Sequence, residues 1–272
     1  MSEKKTALVI SAHAADFVWR CGGAIALHQK LGYEVTIVCL SFGERGESAK
    51  LWKQDGITLD KVKDIRKTEA ENAAKALNAQ NIEFFDLGDY PLKFNDEAKF
   101  KLVDTIRKIQ PSFMFSHSKY DPYNTDHMNT TNFVLECRMI AQAWGHKPGE
   151  KILGAPQLYL FEPHQTEQMG WIPNIFLDIT DVWEQKKKAI ECMEGQHHLW
   201  DYYTNLAKNR ANHFRRNSES GCVMINLPTA GTDYHVPFGG RKNSSFGPRE
   251  QGQYAKELYT QVKTSYILAG TP

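Results

Sequence analysis

Continuous apolar runs, each followed by a polar loop and a helical pattern, recur along the first part of the chain. Residues 6–11 read Thr-Ala-Leu-Val-Ile-Ser, an unbroken run that is typical of a strand buried on both faces of a sheet. Residues 12–20 are predicted to form a loop, residues 22–30 a helix opened by two glycines, and residues 35–40 a second buried strand. Strand, helix and strand in this order indicate a parallel α/β sheet.

The same alternation continues to about residue 215. Asp181 is predicted to cap a helix that runs to about residue 196. The other predicted strands are 82–87, 113–116, 157–161 and 174–178, and the other predicted helices are 59–77, 98–109, 130–143 and 198–215. We therefore predict an α/β, Rossmann-like fold with an open, mostly parallel sheet flanked by helices. In such sheets ligands bind beyond the carboxyl ends of the strands.

Composition and charge narrow the function classes. The chain has 272 residues, 41% of them hydrophobic, with 33 Lys and Arg against 32 Asp and Glu. This is typical of a soluble globular protein, and the net charge of +1 argues against nucleic acid or a membrane as the main partner. The apolar run at 7–10 is too short for a signal sequence or a membrane span. Five scattered cysteines without a CxxC pair favour a cytoplasmic enzyme of small molecules.

The loop after the first predicted strand carries a histidine and an aspartate three residues apart. It reads Ser11-Ala-His13-Ala-Ala-Asp16, and both side chains of such a loop can face one point, as two ligands of a Zn²⁺ ion require. The alternative is structural: Asp16 caps a helix and His13 is a hydrogen-bonded core histidine. By itself the motif leaves both interpretations open.

A second polar loop follows the predicted strand 113–116. It reads Tyr-Asp-Pro-Tyr-Asn-Thr-Asp-His and ends at His127. His127 is a candidate third ligand, which leaves an open coordination position for water or substrate, as in catalytic zinc sites. The alternative is that Asp126 and His127 cap the helix that follows. Two such loops at adjacent strand ends favour the metal site.

Together these motifs resemble those of the PIG-L/LmbE-like zinc-dependent deacetylases over residues 7–145. The matching motifs are Ala12-His13-Ala-Ala-Asp16, Gly22-Gly23, Gly43-Glu44-Arg-Gly-Glu47, Arg66-Lys-Thr-Glu69 and Asn124-Thr-Asp-His127. The resemblance implies that His13, Asp16 and His127 bind a zinc ion, one divalent metal per chain. It also implies the fold predicted above.

Two positions depart from the family motif. Where the deacetylases have the aspartate that acts as general base, this chain has Ala15, and where they have the histidine implicated as general acid, it has Asn124. An alanine methyl group cannot accept a proton, and an amide is a poor acid at neutral pH. Deacetylation by the family's usual route is therefore not expected.

A branch of the family fits these losses, namely the hydratases of gallate and protocatechuate 4,5-cleavage catabolism. The stretches 7–48, 84–92, 111–123 and 154–165 closely resemble that branch. The resemblance implies addition of water to a carbon–carbon double bond of a small tricarboxylic acid, giving 4-carboxy-4-hydroxy-2-oxoadipate, by a homo-oligomer. Two alternatives stay open: a zinc-dependent N-deacetylase of an amino-sugar conjugate with a substitute base, and an inactive metal-binding scaffold.

A hydratase needs proton-transfer groups and cations for the substrate carboxylates. The candidate acid and base are Glu47, after the second strand, and His164, in Phe-Glu-Pro-His after a later strand. The structural alternatives are a solvated loop charge and a loop histidine. Arg20 and Arg45, in the motif loops, are predicted to bind substrate carboxylates, since Arg forms bidentate pairs with them. Asn124 is also predicted to bind substrate.

The amino-acid composition changes beyond residue 216, where Gly, Ser, Pro and Asn become frequent. Residues 220–231, 234–242 and 247–252 resemble the C-terminal end of NAD-dependent aldehyde dehydrogenases. Cys222 falls outside that family's nucleophile motif and is not assigned a role. We therefore predict a catalytic domain at 1–216, and at 217–272 an irregular, foreign C-terminal tail with one helix at 250–262, which makes the chain a chimera.

Overall fold

Five parallel strands form one sheet in the computed structural model, which describes residues 5–217 and the side chains of residues 5–211. The strands are β1 (Thr6–Ser11), β2 (Glu34–Cys39), β3 (Asn81–Phe84), β4 (Phe113–Ser116) and β5 (Gln157–Leu160). They lie in the order β3-β2-β1-β4-β5, and all four neighbouring pairs are parallel. The predicted α/β fold with a mostly parallel sheet is confirmed.

Helices cover both faces of the sheet. The helices are α1 (Asp16–Lys30), α2 (Leu59–Ala76), α3 (Asp96–Ile109), α4 (Thr125–Ala141), α5 (Thr166–Met169), α6 (Trp183–Glu191) and α7 (Trp200–Asn217). Short 3₁₀ turns occur at Leu51–Lys53, Thr180–Val182 and Glu194–Leu199. Helices α1, α2 and α6 pack together on one face, and α3 and α4 pack together on the other.

The central strand β1 is buried along its whole length, as its continuous apolar run predicts. Ala7 and Val9 belong to the core under α1, α2 and α6, whereas Leu8 and Ile10 belong to the core under α3 and α4. Successive side chains of a strand point to opposite faces, so one run supplies both cores. Full burial of a Val, Leu or Ile side chain stabilises the fold by about 1.5–3 kcal/mol.

Helices α1 and α4 begin at least five residues earlier than predicted, whereas α3 begins two residues earlier. Helix α1 begins at Asp16, so residues 16–20 are helical rather than loop. The two glycines lie inside α1, where a Cβ on Gly23 would come within 2.5 Å of Ile179, so this glycine permits close packing and does not mark a helix start. Helix α4 begins at Thr125 because Asn124 caps it by accepting a hydrogen bond from the Asp126 N–H.

The predicted strand at 174–178 is wrong, and so is the predicted cap at Asp181. Residues 174–178 join no ladder of the described sheet, and Ile175 and Leu177 are exposed. A short apolar run becomes a strand only where a neighbouring strand pairs with it. Asp181 instead accepts a hydrogen bond from Lys30 at 2.8 Å, and α6 ends at Glu191, short of the predicted residue 196.

The chain divides into two units, residues 1–206 and residues 207–272. The structure describes residues 207–217 of the second unit. Cys222 and the predicted helix at 250–262 lie outside the described residues, as does nearly all of the predicted tail. Among the described helices, none combines the length and the apolar character needed to cross a membrane.

Candidate metal centre and active site

The predicted ligands meet where the sheet reverses its order. Strands β2 and β3 lie on one side of β1, whereas β4 and β5 lie on the other. The loops that follow β1 and β4 therefore leave the same edge side by side, which is where open α/β sheets bind ligands. His13 follows β1, Asp16 opens α1, and His127 lies in the first turn of α4. All three side chains are buried.

Four side chains bring their ligand atoms within 4.8 Å of one another: His13, Asp16, Glu47 and His127. His13 Nδ1 lies 3.1 Å from Asp16 Oδ2 and 3.3 Å from Glu47 Oε1. His127 Nε2 lies 3.3 Å from Asp16 Oδ1. The structure thus brings together the three predicted ligands and adds Glu47, predicted as an acid or base, to the same cluster.

A further carboxylate stands behind each histidine. Asp126 Oδ2 lies 3.3 Å from His13 Nε2, and Asp121 Oδ2 lies 2.8 Å from His127 Nδ1. Each ring therefore turns one nitrogen toward Asp16 and the other toward a backing carboxylate. Metal-bound histidines typically have this arrangement, because the carboxylate fixes the tautomer and the ring orientation. Sequence reasoning assigned neither aspartate a role, although both lie in the motif loop that ends at His127.

Two buried polar atoms of the cluster have no hydrogen-bond partner among the described residues. They are His127 Nε2 and Glu47 Oε2. Their nearest charged neighbours are Asp16 Oδ1, 3.3 Å from His127 Nε2, and Arg66 Nη2, 3.9 Å from Glu47 Oε2. Buried polar atoms are nearly always hydrogen-bonded, so this nitrogen and this oxygen are both available to a further ligand. A divalent cation can fill this role, and imidazole with carboxylate is a donor set that such metals take. The residues present therefore fit a metal ion.

Electrostatics hold a proton on His13 in the metal-free protein. Burial disfavours the imidazolium, but the carboxylates of Glu47, Asp126 and Asp16 outweigh burial and raise the pKa of His13 well above its usual value. Burial likewise opposes the charge of Asp16, yet the neighbouring His127 lowers the pKa of that carboxyl well below its usual range. In the metal-free protein, the proton on His13 therefore supplies the positive charge that these carboxylates require and that a metal ion could supply instead.

Metal binding is therefore expected to release a proton. A ligating imidazole must be neutral, and below its raised pKa His13 is protonated in the metal-free protein, so apparent metal affinity should rise with pH until that pKa is passed. Calorimetric titration with Zn²⁺ at pH 7, in buffers of different ionisation enthalpy, should show net proton release on metal binding. An affinity that is flat from pH 6 to pH 8, without proton release, would contradict this picture.

His117, which follows β4, is a buried neighbour that sequence reasoning missed. Its Nε2 accepts a hydrogen bond from the Ala12 N–H at 2.9 Å, so the proton of the neutral ring is on Nδ1. Its ring stacks on that of His127, with centroids 4.0 Å apart. Burial and the neighbouring His127 lower its pKa well below the usual value, which keeps it neutral. His117 ties the two loops together, and no spacing in the sequence signals it.

His164, the other predicted acid or base, lies beside His127. The two rings are nearly parallel, at 5° with centroids 5.2 Å apart, and the His164 side chain is 33% exposed. Asp121 Oδ2 accepts hydrogen bonds from the His164 backbone N–H at 3.3 Å and from Nδ1 at 3.2 Å. Since Nδ1 donates to Asp121, Nε2 is the nitrogen that can exchange a proton. One carboxylate oxygen therefore positions both His127 and His164.

Arg20 is a partly buried cation whose hydrogen-bonding capacity is only partly used. Its Nη1 donates to the Glu162 carbonyl oxygen at 3.0 Å, and the guanidinium lies over the Tyr203 ring at 5.6 Å. Its Nε and Nη2 are buried without a partner among the described residues. Burial opposes the charge, yet nearby Tyr203 and Asp16 raise the pKa of the guanidinium. Two free donors beside the cluster suit an anionic ligand.

The remaining candidates differ in their surroundings. Arg45 is exposed, and its Nη1 donates to the Asp89 carbonyl oxygen at 3.2 Å. Asn124 is buried, with Oδ1 capping α4 and Nδ2 donating to the Tyr90 hydroxyl at 2.9 Å. Arg66 is fully buried and pairs with Glu69 and Gln196, and its Nη2 lies 3.9 Å from Glu47 Oε2.

Most of the chain is similar in sequence and structure to proteins of the PIG-L family. The PIG-L family model, described as GlcNAc-PI de-N-acetylase, matches residues 8–138. The chain is 58% identical to the 4-oxalmesaconate hydratase of Pseudomonas putida KT2440 over 214 residues, 79% of this chain and 83% of that protein. The crystal structure of a 4-carboxy-2-hydroxymuconate hydratase from Pseudomonas putida KT2440 matches with a TM-score of 0.76 and 52% identity, covering 84% of this chain and 99% of that one.

Other similarities are more distant or shorter. The diacetylchitobiose deacetylase of Thermococcus kodakarensis is 27% identical over 214 residues, 74% of this chain and 76% of that protein. The aldehyde dehydrogenase family model matches residues 203–265. The dehydrogenase-like character predicted for the end of the chain is thus confirmed, and sequence from two families is joined in this chain.

Proposed function

This chain belongs to the PIG-L family, and on that premise we propose that it is a metal-dependent hydro-lyase. Its proposed substrate is 4-oxalomesaconate or the enol tautomer 4-carboxy-2-hydroxymuconate, which it hydrates to 4-carboxy-4-hydroxy-2-oxoadipate in gallate and protocatechuate catabolism. One observation carries the proposal: the cluster of His13, Asp16 and His127 is intact while the buried Ala15 beside it has no proton-transfer group. The identity of 58% to a hydratase over most of the chain supports it.

We propose that the resident metal is Zn²⁺, one per chain, held by His13, Asp16 and His127. Such an ion supplies a Lewis acid that polarises a substrate oxygen and stabilises the enolate-like charge of hydration. The support is the donor set and the buried Nε2 of His127, which makes no hydrogen bond among the described residues. Asp121 and Asp126 hold the two imidazole rings from behind.

Proton transfer is assigned to two side chains. Glu47 takes a proton from the attacking water, whose hydroxyl bonds to one carbon of the double bond. His164 delivers a proton to the other carbon, so that the elements of one water molecule are added. The supporting geometry is the buried Oε2 of Glu47, which makes no hydrogen bond among the described residues, and the hydrogen bond that holds His164 Nδ1 on Asp121.

Arg20, Arg45 and Asn124 are assigned to the substrate carboxylates. Arg20 has the strongest support, because two of its donor nitrogens are buried and unpaired among the described residues. Replacing Arg20 with Met should raise KM and lower kcat/KM by about 10- to 100-fold, the cost of a lost charged hydrogen bond. Arg45→Met should cost less, because Arg45 is exposed. Steady-state kinetics measure both, and an unchanged KM in folded Arg20→Met would contradict the assignment.

The proposal is tested with the full chain and the muconate-type triacid. We expect the ultraviolet absorbance of the conjugated substrate to fall on addition of the metal-loaded protein, and the rate to vanish with a chelator and return with Zn²⁺. An N-acetylated amino sugar is the parallel substrate, and acetate release from it without consumption of the triacid would instead establish the deacetylase alternative. Bound metal without turnover of either compound would establish the inactive scaffold.

Assembly, location and the tail complete the proposal. A homo-oligomer is supported by the exposed side chains of Ile172, Ile175 and Leu177, and sedimentation velocity measures it directly. A cytoplasmic location is supported by the four described cysteines, all of which are free.

We also propose that residues 217–272 are a foreign fragment joined to a catalytic domain at 1–216. If so, a chain that ends at residue 216 should still bind metal at the cluster.

A further inference from the structure

Tyr90 reaches the site from a third loop, the one that follows β3. Its ring stacks on that of His13, with centroids 5.5 Å apart and planes at 14°. Its backbone N–H donates to Asp126 Oδ2 at 2.9 Å. The ring lies so close to Gly46 that an added Cβ there would come within 2.0 Å of a ring carbon. Several independent contacts therefore place Tyr90 at the edge of the cluster.

The hydrogen bonds around Asn124 determine whether the Tyr90 hydroxyl is free to donate or to accept. The Asp126 N–H donates to Asn124 Oδ1 at 3.1 Å, and because an N–H needs an acceptor, this contact sets the orientation of the amide. Asn124 Nδ2 then donates to the Tyr90 oxygen at 2.9 Å. A phenol has one hydrogen, and no acceptor for it is found among residues 5–211. The hydroxyl is therefore left as a donor to a molecule outside this group.

The surroundings indicate the kind of acceptor that fits. Tyr90 is 49% exposed, so it is accessible from solvent. It also lies within electrostatic range of Glu47 and Asp126. An anionic substrate oxygen that enters beside these carboxylates needs donors, and a hydrogen bond to a charged oxygen is stronger than one between neutral groups.

We propose that Tyr90 is a substrate-binding residue whose hydroxyl donates a hydrogen bond to an anionic oxygen of the tricarboxylic substrate, a carboxylate or the enolate. The inference rests on the proposed function and adds a specificity-determining group to it. In place of the direct substrate contact assigned to Asn124 above, we assign it a positioning role, because its amide group turns the Tyr90 proton outward.

Tyr90→Phe tests the role because it keeps the ring and removes the donor. We expect KM for the triacid to rise and kcat/KM to fall by about 10- to 100-fold, with a smaller change in kcat. Bound metal and Tm should stay at the values of the unsubstituted chain. The Kd of tricarballylate, a saturated tricarboxylate, should rise by a similar factor in calorimetry. Tyr202→Phe, at a comparably exposed tyrosine on α7, is the matched control.

Asn124→Asp tests the positioning step. Aspartate still caps α4, but its second oxygen accepts the Tyr90 proton and turns the donor inward. Its effect should be large alone and small in the Tyr90→Phe background, whereas additive effects would overturn the role of Asn124. Unchanged KM and tricarballylate Kd in Tyr90→Phe would overturn the role of Tyr90. A metal-loaded, unsubstituted chain that hydrates no triacid would instead refute the proposed function.

Discussion

Replacing Glu47 with Gln is expected to lower kcat for hydration by about 10²- to 10⁴-fold, the usual contribution of a positioned general base. The amide keeps the shape of the side chain but cannot take a proton from water. Glu47 lies at the right place for this role, with Oε1 3.3 Å from His13 Nδ1 and Oε2 buried, without a hydrogen bond among the described residues and 3.9 Å from Arg66 Nη2. Steady-state kinetics on the metal-loaded variant, with the triacid as substrate, measure the effect.

Metal content separates the two roles open to Glu47. The base assignment requires that Glu47→Gln keep stoichiometric metal while losing turnover. Loss of metal together with activity would contradict it and make Glu47 a ligand. Glu71→Gln, at an exposed carboxylate on α2, is the control and should keep full activity. The same pair of measurements on His164→Asn tests the second proton-transfer group, with metal retained and kcat reduced.

Replacing His127 with Ala is expected to abolish both metal binding and hydration. The substitution removes one of the two proposed imidazole ligands and leaves Asp16 and Asp121 as buried carboxylates without the ring between them. Dialysis of the variant against Zn²⁺ followed by elemental analysis gives the bound metal directly. His197→Ala, at an exposed histidine, should retain metal and activity.

Substituting a carboxylate that supports a histidine ring from behind should weaken metal binding less than substituting the histidine itself. Asp121→Asn is expected to weaken metal binding by about 10- to 100-fold rather than abolish it, because such partners orient a ligand without touching the metal. Competition with a chelating dye measures the affinity. Wild-type affinity in Asp121→Asn would show that the ring of His127 needs no carboxylate behind it, against the role assigned here.

The architecture of the sheet could be predicted from the sequence because a short apolar run marks each of its strands. The runs at β1 and β2 are continuous and apolar, and such runs are buried wherever they fall in a parallel sheet. Residues 174–178 carry the same local signal without a strand beside them in the described structure, so the pattern alone could not separate the cases. The starts of α1 and α4 were predicted too late because their first turns hold the proposed ligands Asp16 and His127 rather than a regular apolar period.

The site was predictable only as far as its residues follow motifs. His13, Asp16 and His127 stand at motif positions, and the parallel order of the strands brings them together. Asp126 could not be assigned, since it adjoins His127 in sequence but supports His13 in space. The role of Tyr90 could not be predicted, because its ring reaches the site by packing over Gly46. These two residues lie far apart in the sequence and belong to no common motif.

The most direct test of the account is an NMR spectrum of the triacid incubated with the zinc-loaded chain. The account predicts that the vinyl proton signal disappears as a tertiary alcohol carbon and new methylene protons appear in equal amount, and that none of this occurs without metal. Persistence of the vinyl signal with a fully loaded metal site, and above all acetate release from an N-acetylated sugar under the same conditions, would contradict hydration as the activity of this site.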